Sequence, residues 1–327
     1  MSEVEGLVGD IGGTNARFAL ATIRDGRPAI REPRSYANRD YASAEAAIEA
    51  YLAEVGVART PDAVVLAVAG PVTDGAADFT NSDWVLSEPR LRSTAGFRLA
   101  RLINDFAAQA LGAPRVAADG LRRIGPEVEG DPDAPVAVLG PGTGFGLAGL
   151  VRVAGREAVV PTEGGHACFA PCDDLEVEIR HWFIRRHGRV SIERVLCGRG
   201  LYELYLALGE IQGVPAPQAD EKQVQATAAD GSDPLAAAAV DRFCLILGAT
   251  AGDIALTMGA RGGVYVTGGV AQRLADRIVA GGFRDRFEDK GRFRDYMRAI
   301  PSVLIVEHYT ALIGAAVDLG RLEGLAA

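Results

Sequence analysis

The sequence predicts a two-domain α/β protein, and its length, its alternation of strand and helix patterns, and an internal repeat support this. The chain has 327 residues. A single hydrophobic core rarely extends over so long a chain, so two domains are expected. Its first third predicts elements in the order βββαβαβα, which indicates a mixed sheet covered by helices. A strand, a glycine turn and a second strand occur again about 130 residues later, which predicts a duplicated α/β unit.

The first unit begins with the stretch "VGDIGGTNARFALA", which predicts two strands joined by a glycine turn. An Asp25-Gly26 turn leads to a third strand. The helix "ASAEAAIEAYLAEVG" follows, with Ser43 as its N-cap and Gly56 as its stop. "DAVVLAVAGPV" predicts a buried strand and "SEPRLRSTAG" a short helix capped by Ser87. "FRLARLINDF" is the next strand, and it leads directly into the helix "FAAQALG".

The second unit starts at "VAVLGPGTGFGLAGLVRV" and carries longer helices. "GGVYVTGG" and "VLIVEHY" predict its later strands, and "ALIGAAVDLGRLEGL" predicts a closing helix that packs back on the first domain. The predicted domains are therefore residues 1–113 plus 308–327, a small α/β domain, and residues 114–307, a large one.

Composition and charge exclude several classes of protein. A hydrophobic content of 48% and a charged content of 24% are those of an ordinary globular protein. The net charge of −9 argues against nucleic acid or an anionic membrane as a partner. With no apolar run of 18 residues and no signal-peptide pattern, we expect a cytoplasmic protein. Four cysteines in so long a chain do not suggest a disulfide scaffold.

Three glycine loops are the candidate phosphate sites: 10–14, 140–146 and 267–270. The P-loop pattern is absent, and the GxGxxG match that starts at Gly144 precedes a hairpin rather than the helix that a dinucleotide site needs. Backbone amides and hydroxyls of such turns can bind phosphate oxygens. Each loop alone is equally compatible with a plain tight turn, but three together favour a nucleotide. Asp10 is suited to Mg²⁺, held through water.

Polar residues at a strand end and on two loops are the candidate catalytic and sugar-binding groups. Asn104 and Asp105 end a strand at the sheet edge where α/β ligands bind. From the residues alone, Asp105 is equally a general base or a helix cap. Glu163 and His166 combine a carboxylate and an imidazole, which suit sugar hydroxyls. Glu193 follows Ser191 in a helix's first turn, where the helix dipole also favours a carboxylate.

The HxCxxxC pattern of His166, Cys168 and Cys172, with Cys197 as a fourth ligand, is compatible with zinc, but buried free thiols are favoured. His181 and His187, on an Arg-rich helix, and the charged run "FRDRFEDKGRFRDYMR" predict solvent-exposed surface. Arg17, Ser82, Asp83 and Lys290 are assigned no role.

Six motifs resemble those of one family and occur in its order: "GDIGGTNARFAL", "LINDFAAQA", "GPGTGFG", "EGGH", "SIERVLCG" and "TGGV". Over nearly the whole chain the sequence resembles the bacterial ATP-dependent glucokinases of the hexokinase, actin and heat-shock ATPase superfamily. The resemblance implies two actin/hexokinase-like (ribonuclease-H-like) domains around a central cleft. It also implies transfer of the γ-phosphate of ATP to the 6-hydroxyl of D-glucose.

The resemblance also assigns roles to residues. Asp105 becomes the general base, and glucose is bound by Asn104, Asp105, Glu163, His166 and Glu193. Mg²⁺ accompanies ATP and is held by Asp10, through water. MgATP and D-glucose are the implied partners, and a homodimer is the implied assembly. The residues that bind ATP are then Gly9, Asp10, Ile11, Gly12, Gly13, Thr14, Gly142, Thr143, Gly144, Gly268 and Gly269.

The sequence differs from the family pattern at three positions, and three alternative functions are compatible with it. Thr162 stands where glycine is usual, and Cys197 and Arg199 stand where small residues are usual, so the changes bear on sugar selectivity. A kinase for another hexose is the first alternative. A non-catalytic sugar-sensing protein on the same fold is the second, although no basic helix-turn-helix precedes residue 7. The third is a chaperone-like or filament-forming ATPase.

Overall fold

A computed structural model describes residues 3–78, 84–153 and 155–324. Ser82 and Asp83 lie outside these ranges. The strands are β1 Glu3–Ile11, β2 Asn15–Arg24, β3 Arg27–Ala37, β4 Ala63–Val68, β5 Val72–Thr73, β6 Ala76–Asp78, β7 Val85–Ser87, β8 Leu99–Asn104, β9 Leu121–Ile124, β10 Val136–Pro141, β11 Phe145–Val153, β12 Arg156–Thr162, β13 Gly263–Val266 and β14 Ser302–Ile305. The helices are α1 Ala44–Glu54, α2 Glu88–Thr94, α3 Asp105–Gly112, α4 Asp174–His187, α5 Ile192–Val195, α6 Gly198–Gln212, α7 Glu221–Asp230, α8 Pro234–Met258, α9 Gly269–Arg273, α10 Ala275–Ala280, α11 Phe283–Glu288, α12 Arg294–Arg298 and α13 Thr310–Leu322.

The chain divides into two compact units. The first comprises Met1–Val116, Ala154–Pro161 and Glu307–Ala327, and the second comprises Ala117–Val153 and Thr162–Val306. The first unit thus takes in α13 and all but the last residue of β12.

The first unit is built on a sheet in the order β3-β2-β1-β4-β8. β1 runs antiparallel to β2 and parallel to β4, and β4 runs parallel to β8. Every residue of β4 is buried because helices cover both faces of a sheet of this kind. α1 packs on one face through Ile48 and Tyr51. The predicted N-caps Ser43 and Ser87 each accept a hydrogen bond from the helix they start.

The closing helix α13 packs on the other face, through Leu312 and Leu319, as the sequence predicts. It also approaches α3 closely enough to exclude side chains at the crossing. A Cβ on Gly314 would overlap the carbonyl oxygen of Ala108. One on Gly112 would overlap the carbonyl oxygen of Thr310.

The second unit repeats this strand arrangement. Its strands lie in the order β11-β10-β13-β14-β9. β10 is antiparallel to β11 and parallel to β13, and β13 is parallel to β14. These relations match those of β1, β2, β4 and β8, so the predicted duplication is confirmed. β9 adds an antiparallel edge. The helical core of the second unit fully buries four large aromatic side chains, those of Trp182, Phe183, Tyr205 and Phe243.

α8 is apolar and long enough by composition to cross a membrane, with a mean hydropathy of 1.5 in its most apolar window, but 72% of that window is buried, as in a core helix. Two sequence-based expectations about exposure are wrong. The run predicted as solvent-exposed surface buries Arg284, whose guanidinium pairs with Glu288. His187, predicted to be solvated, is mostly buried against Glu203, 2.8 Å away. In each case, packing partners distant in sequence cover residues whose local pattern is polar or uninformative.

Candidate functional site

The glycine turn between β1 and β2 is held from behind by Asn38. The amide of Gly12 donates to the carbonyl of Asn15 at 2.9 Å and closes the turn. The side-chain amide of Asn38 donates to the carbonyl of Gly12 at 2.8 Å, and its backbone amide donates to Thr14 at 2.9 Å. The carbonyls of Gly12 and Thr14 are thus directed towards Asn38. The side chain of Thr14 is exposed, and the side of the turn away from Asn38 is open to a ligand.

Two residues that the resemblance assigns to ATP binding have buried side-chain positions. Ile11 is 0% exposed and belongs to the core. A Cβ on Gly9 would lie 2.6 Å from Cδ2 of Leu66, so glycine here allows the strand to pack. Only the backbone of these two residues remains for a ligand.

Asp10 faces Arg17 across the hairpin. The two are register partners on β1 and β2, and Nη1 of Arg17 donates to Oδ2 of Asp10 at 2.9 Å. Burial raises the pKa of the Asp10 carboxyl, and the Arg17 guanidinium opposes that rise. The sequence pattern alone indicates no role for Arg17. The signal that identifies it is its distance from the turn, since hairpin register places it opposite Asp10.

Asn104 and Asp105 lie on the same sheet edge as this turn. Ile11 is level with Val68 on β4, and Val68 is level with Asn104 on β8. Asn104 is the N-cap of α3 and accepts from the amides of residues 106 and 107 at 2.9 and 3.1 Å. Oδ1 of Asp105 accepts from its own helix at 2.9 Å and from the Asn104 side chain at 3.0 Å. The cap is thus Asn104, and Asp105 is the first helical residue, with a fixed carboxylate.

The second glycine turn, between β10 and β11, is coupled to Glu193. The amide of Gly142 donates to Gly144 at 2.8 Å, and the carbonyl of Gly142 accepts from Gly198 at 3.0 Å. Oε2 of Glu193 accepts from the amide of Phe145 at 2.9 Å. A Cβ on Gly144 would overlap that same oxygen, so glycine leaves room for the carboxylate. Glu193 is also the second residue of a helix capped by Ser191.

The third glycine loop lies against the second. Thr267 donates its amide to Leu139 at 2.8 Å. A Cβ on Gly140 would overlap the carbonyl of Thr267, and one on Gly268 would overlap that of Pro141. The backbones therefore touch at this edge, and α9 begins at Gly269. Thr143 and Gly269 are exposed there.

The structure brings Glu163, His166 and Glu193 together. Nε2 of His166 lies 4.0 Å from Oε2 of Glu163, and its Nδ1 lies 4.0 Å from Oε1 of Glu193. The side chains of Glu163 and His166 are 71% and 59% exposed, and that of Glu193 is 33% exposed. Two carboxylates flank one imidazole at distances that leave all three able to bind a polar ligand.

The four cysteines are free thiols, Cys168 and Cys172 exposed and Cys197 and Cys244 buried. The prediction that the thiols of Cys168 and Cys172 are buried is therefore wrong. Within the described ranges no group of three or more His, Cys, Asp and Glu side chains is arranged to hold a metal ion. Cys197 instead caps α6, because its sulfur accepts from the amide of Gly200 at 3.2 Å.

Two duplicated sheets, each with a glycine turn at the carboxyl edge of its first strand, are the architecture of the actin/hexokinase-like fold. Among proteins of this fold, the chain is an ATP-dependent hexose kinase, as its family and its relatives show. A family model described as "Glucokinase" matches residues 7–321. The chain belongs to the glucokinase family, and it transfers the γ-phosphate of ATP to the 6-hydroxyl of D-glucose.

Relatives and solved structures that are similar to this chain include other glucokinases. A glucokinase of Caulobacter sp. (strain K31) is 55% identical over 315 residues, covering 96% of this chain and 94% of its own. The crystal structure of a glucokinase from an Antarctic psychrotroph superposes with a TM-score of 0.88 at 35% identity, covering 98% and 99% of the two chains. A ROK family glucokinase from Streptomyces griseus, solved with glucose and AMPPNP, shares the fold at a TM-score of 0.62 and 21% identity, covering 97% and 99%.

Proposed function

We propose that Asp105 is the general base of this glucokinase and that Asn104, Glu163, His166 and Glu193 bind the sugar with it. The observation that carries the proposal is the register of β1, β4 and β8. It places the Asp105 carboxylate on the same edge of the first sheet as the outward-facing Gly12–Asn15 turn. Transfer requires the acceptor hydroxyl and the phosphate to be held close together, so a base and a phosphate-binding turn on one edge support the assignment.

The reaction assigned to Asp105 is proton removal during in-line transfer. The sugar 6-hydroxyl oxygen bonds to the γ-phosphorus, the bond from that phosphorus to the β,γ-bridging oxygen breaks, and ADP leaves with that electron pair. The hydroxyl proton passes to the carboxylate of Asp105. Hydrogen bonds from Asn104 and the α3 backbone hold Oδ1, so the carboxylate is positioned before the substrate arrives.

The sugar hydroxyls are assigned to the acidic and imidazole groups of the second unit. Glu163 and Glu193 are acceptors, and His166 between them can donate or accept according to its tautomer. A site built to pair hydroxyls rejects sugars whose hydroxyls do not match, because its polar groups would stay unpaired. The glucokinases that are 55% and 35% identical to this chain support glucose as the sugar.

ATP is assigned to the three glycine loops: Gly9–Thr14 through backbone groups and the Thr14 hydroxyl, Gly142–Gly144, and Gly268–Gly269. Mg²⁺ fits Asp10 only as an ion held mainly by the nucleotide. One oxygen of Asp10 is engaged by Arg17, and the described residues supply no three-ligand cage. The carboxylate would hold the ion through water. When bound, Mg²⁺ neutralises charge on the transferring phosphate.

Four further assignments are proposals, of which the dimer and the glycolytic reaction rest on the resemblance and the location and domain bounds rest on the sequence pattern. They are a homodimer, a cytoplasmic location, the reaction that admits glucose to glycolysis, and domains comprising residues 1–113 plus 308–327 and residues 114–307. Light scattering of the purified protein tests the dimer, and a mass of one chain would exclude it.

The variant Asp105→Asn tests the base assignment. It keeps the size and the Oδ1 acceptor but removes the proton acceptor, so kcat should fall by about 10²- to 10⁴-fold. The dissociation constant for glucose, measured by calorimetry, should stay within about threefold. Near-normal turnover would show that Asp105 is not the base.

The matched control is Asp174→Asn. Asp174 is also the first residue of a helix, α4, and follows the cap Asp173. The control removes the same charge from the same helical position and should leave kcat unchanged. A panel of glucose, mannose, fructose and N-acetylglucosamine, assayed by ADP release, decides between the proposed selectivity and a kinase for another hexose.

A further inference from the structure

Thr162, the residue before Glu163, uses its hydroxyl twice. The hydroxyl donates to the carbonyl of Leu147 on β11 at 2.9 Å. It also accepts from the amide of Gly164 at 3.1 Å. A hydroxyl that accepts from the amide two residues later forms a local turn with the backbone. Glu163 is the residue enclosed by that turn, so its backbone direction depends on the Thr162 hydroxyl.

Arg189 holds the other end of the same segment. Its Nη2 donates to the carbonyl of His166 at 2.6 Å and lies 3.7 Å from Sγ of Cys168. Among the described residues no carboxylate lies within ion-pair distance of Arg189, so the carbonyl is its oxygen partner. A charged donor makes this bond stronger than an ordinary backbone contact.

The segment between these two residues has little room to adjust. A Cβ on Gly164 would overlap the side chain of Leu147. One on Gly165 would overlap the carbonyl of Phe145, the residue whose amide holds Glu193. Close packing below and hydrogen bonds at both ends leave Glu163 and His166 exposed on a fixed backbone.

We propose that Thr162 and Arg189 are positioning residues that set affinity for the sugar by fixing the turn Glu163–His166 before the substrate binds. The proposal rests on the proposed role of Glu163 and His166. A mobile turn would have to be ordered by each sugar molecule, and that ordering weakens binding. Neither residue touches the reacting atoms, so kcat and the KM for ATP should not depend on them.

The first test is Thr162→Val, which keeps the shape and removes the hydroxyl, with Thr162→Ser as the rescue. Losing both hydrogen bonds, and so leaving two backbone groups unpaired, should raise the KM and the Kd for glucose about 5- to 30-fold. kcat and the KM for ATP should change less than twofold, and Ser should restore the KM. The matched control is Thr227→Val, which removes a hydroxyl that donates a hydrogen bond to the carbonyl of Gln223 on α7.

The second test uses Arg189, which is exposed and can be changed without disturbing the core. Arg189→Gln should raise the KM for glucose, and Arg189→Lys should recover most of it. This pair keeps the proposal falsifiable where Thr162→Val does not fold. An unchanged KM for glucose in Thr162→Val or in Arg189→Gln overturns the positioning role of these two residues. An equal rise in the KM for ATP overturns it as well.

Glu163→Gln, measured in parallel, separates this inference from the proposed function. If the KM for glucose rises in Glu163→Gln but not in Thr162→Val, the sugar-binding role of Glu163 is retained and the positioning role of Thr162 is overturned. No change in Glu163→Gln refutes the role of Glu163 itself.

Discussion

Gly144→Ala tests the coupling between the second glycine turn and the sugar groups. The new Cβ would overlap Oε2 of Glu193, which now accepts from the amide of Phe145 at 2.9 Å. That oxygen ends a flexible side chain, so it can move by roughly 1 Å to reach van der Waals contact. The fold should therefore survive, while the Glu193 carboxylate leaves its position.

The size of the effect follows from the charge on the acceptor. A hydrogen bond to a carboxylate contributes about 1.5–3 kcal/mol, so a displaced Glu193 should raise the KM for glucose about 10- to 100-fold. The melting temperature should fall by no more than about 4 °C, because the side chain and not the backbone yields.

The assay is ADP release with glucose varied at saturating ATP. Gly142→Ala is the matched control for the sugar, since a Cβ at Gly142 meets no atom within 4 Å. Its KM for glucose should stay at the wild-type value, whatever happens to the KM for ATP. A Gly144→Ala enzyme that folds and keeps the wild-type KM for glucose would refute the reasoning.

Two further predictions concern stability. Gly314→Ala sets a Cβ against the backbone carbonyl of Ala108, which cannot move aside, so we expect a loss of about 1–3 kcal/mol or more, read as a lower urea midpoint; an unchanged midpoint would disprove the close approach. Burial opposes the ionised form of Asp173, but a backbone hydrogen bond and the guanidinium groups of Arg242 and Arg286 prevail and lower its pKa. Its stabilising effect is therefore present above the unfolded pKa of about 3.9 and is lost as the pH falls below it. The melting temperature of Asp173→Asn should lie furthest below wild type near pH 7, and the gap should close towards pH 2; a gap independent of pH would contradict this.

Local pattern was sufficient for the parts of the fold whose cause is local. The Asp25-Gly26 turn forms because its two residues take positive φ, 50° and 75°. Ser43 and Ser87 cap their helices because their hydroxyls reach the amides three residues on. The duplication could be predicted because both units need the same turn between their first two strands. For the same reason, the strand end at Asn104 pointed to a sheet edge.

The tertiary structure decided what distant residues do to one another. Hairpin register gives Asp10 the partner Arg17, and β4 brings Asn104 level with Ile11. Burial of Arg284 depends on helix packing that its charged neighbours in the sequence conceal.

The sequence alone determined the family, the repeated α/β units and the residue types that suit sugar and phosphate. Only the folded chain decided how the turn Glu163–His166 is held. The Thr162 hydroxyl finds the carbonyl of Leu147, 15 positions away, and the Arg189 guanidinium finds that of His166, 23 positions away. A hydrogen bond acts over about 3 Å, so which residues share one depends on how the chain folds and not on where they stand in the sequence.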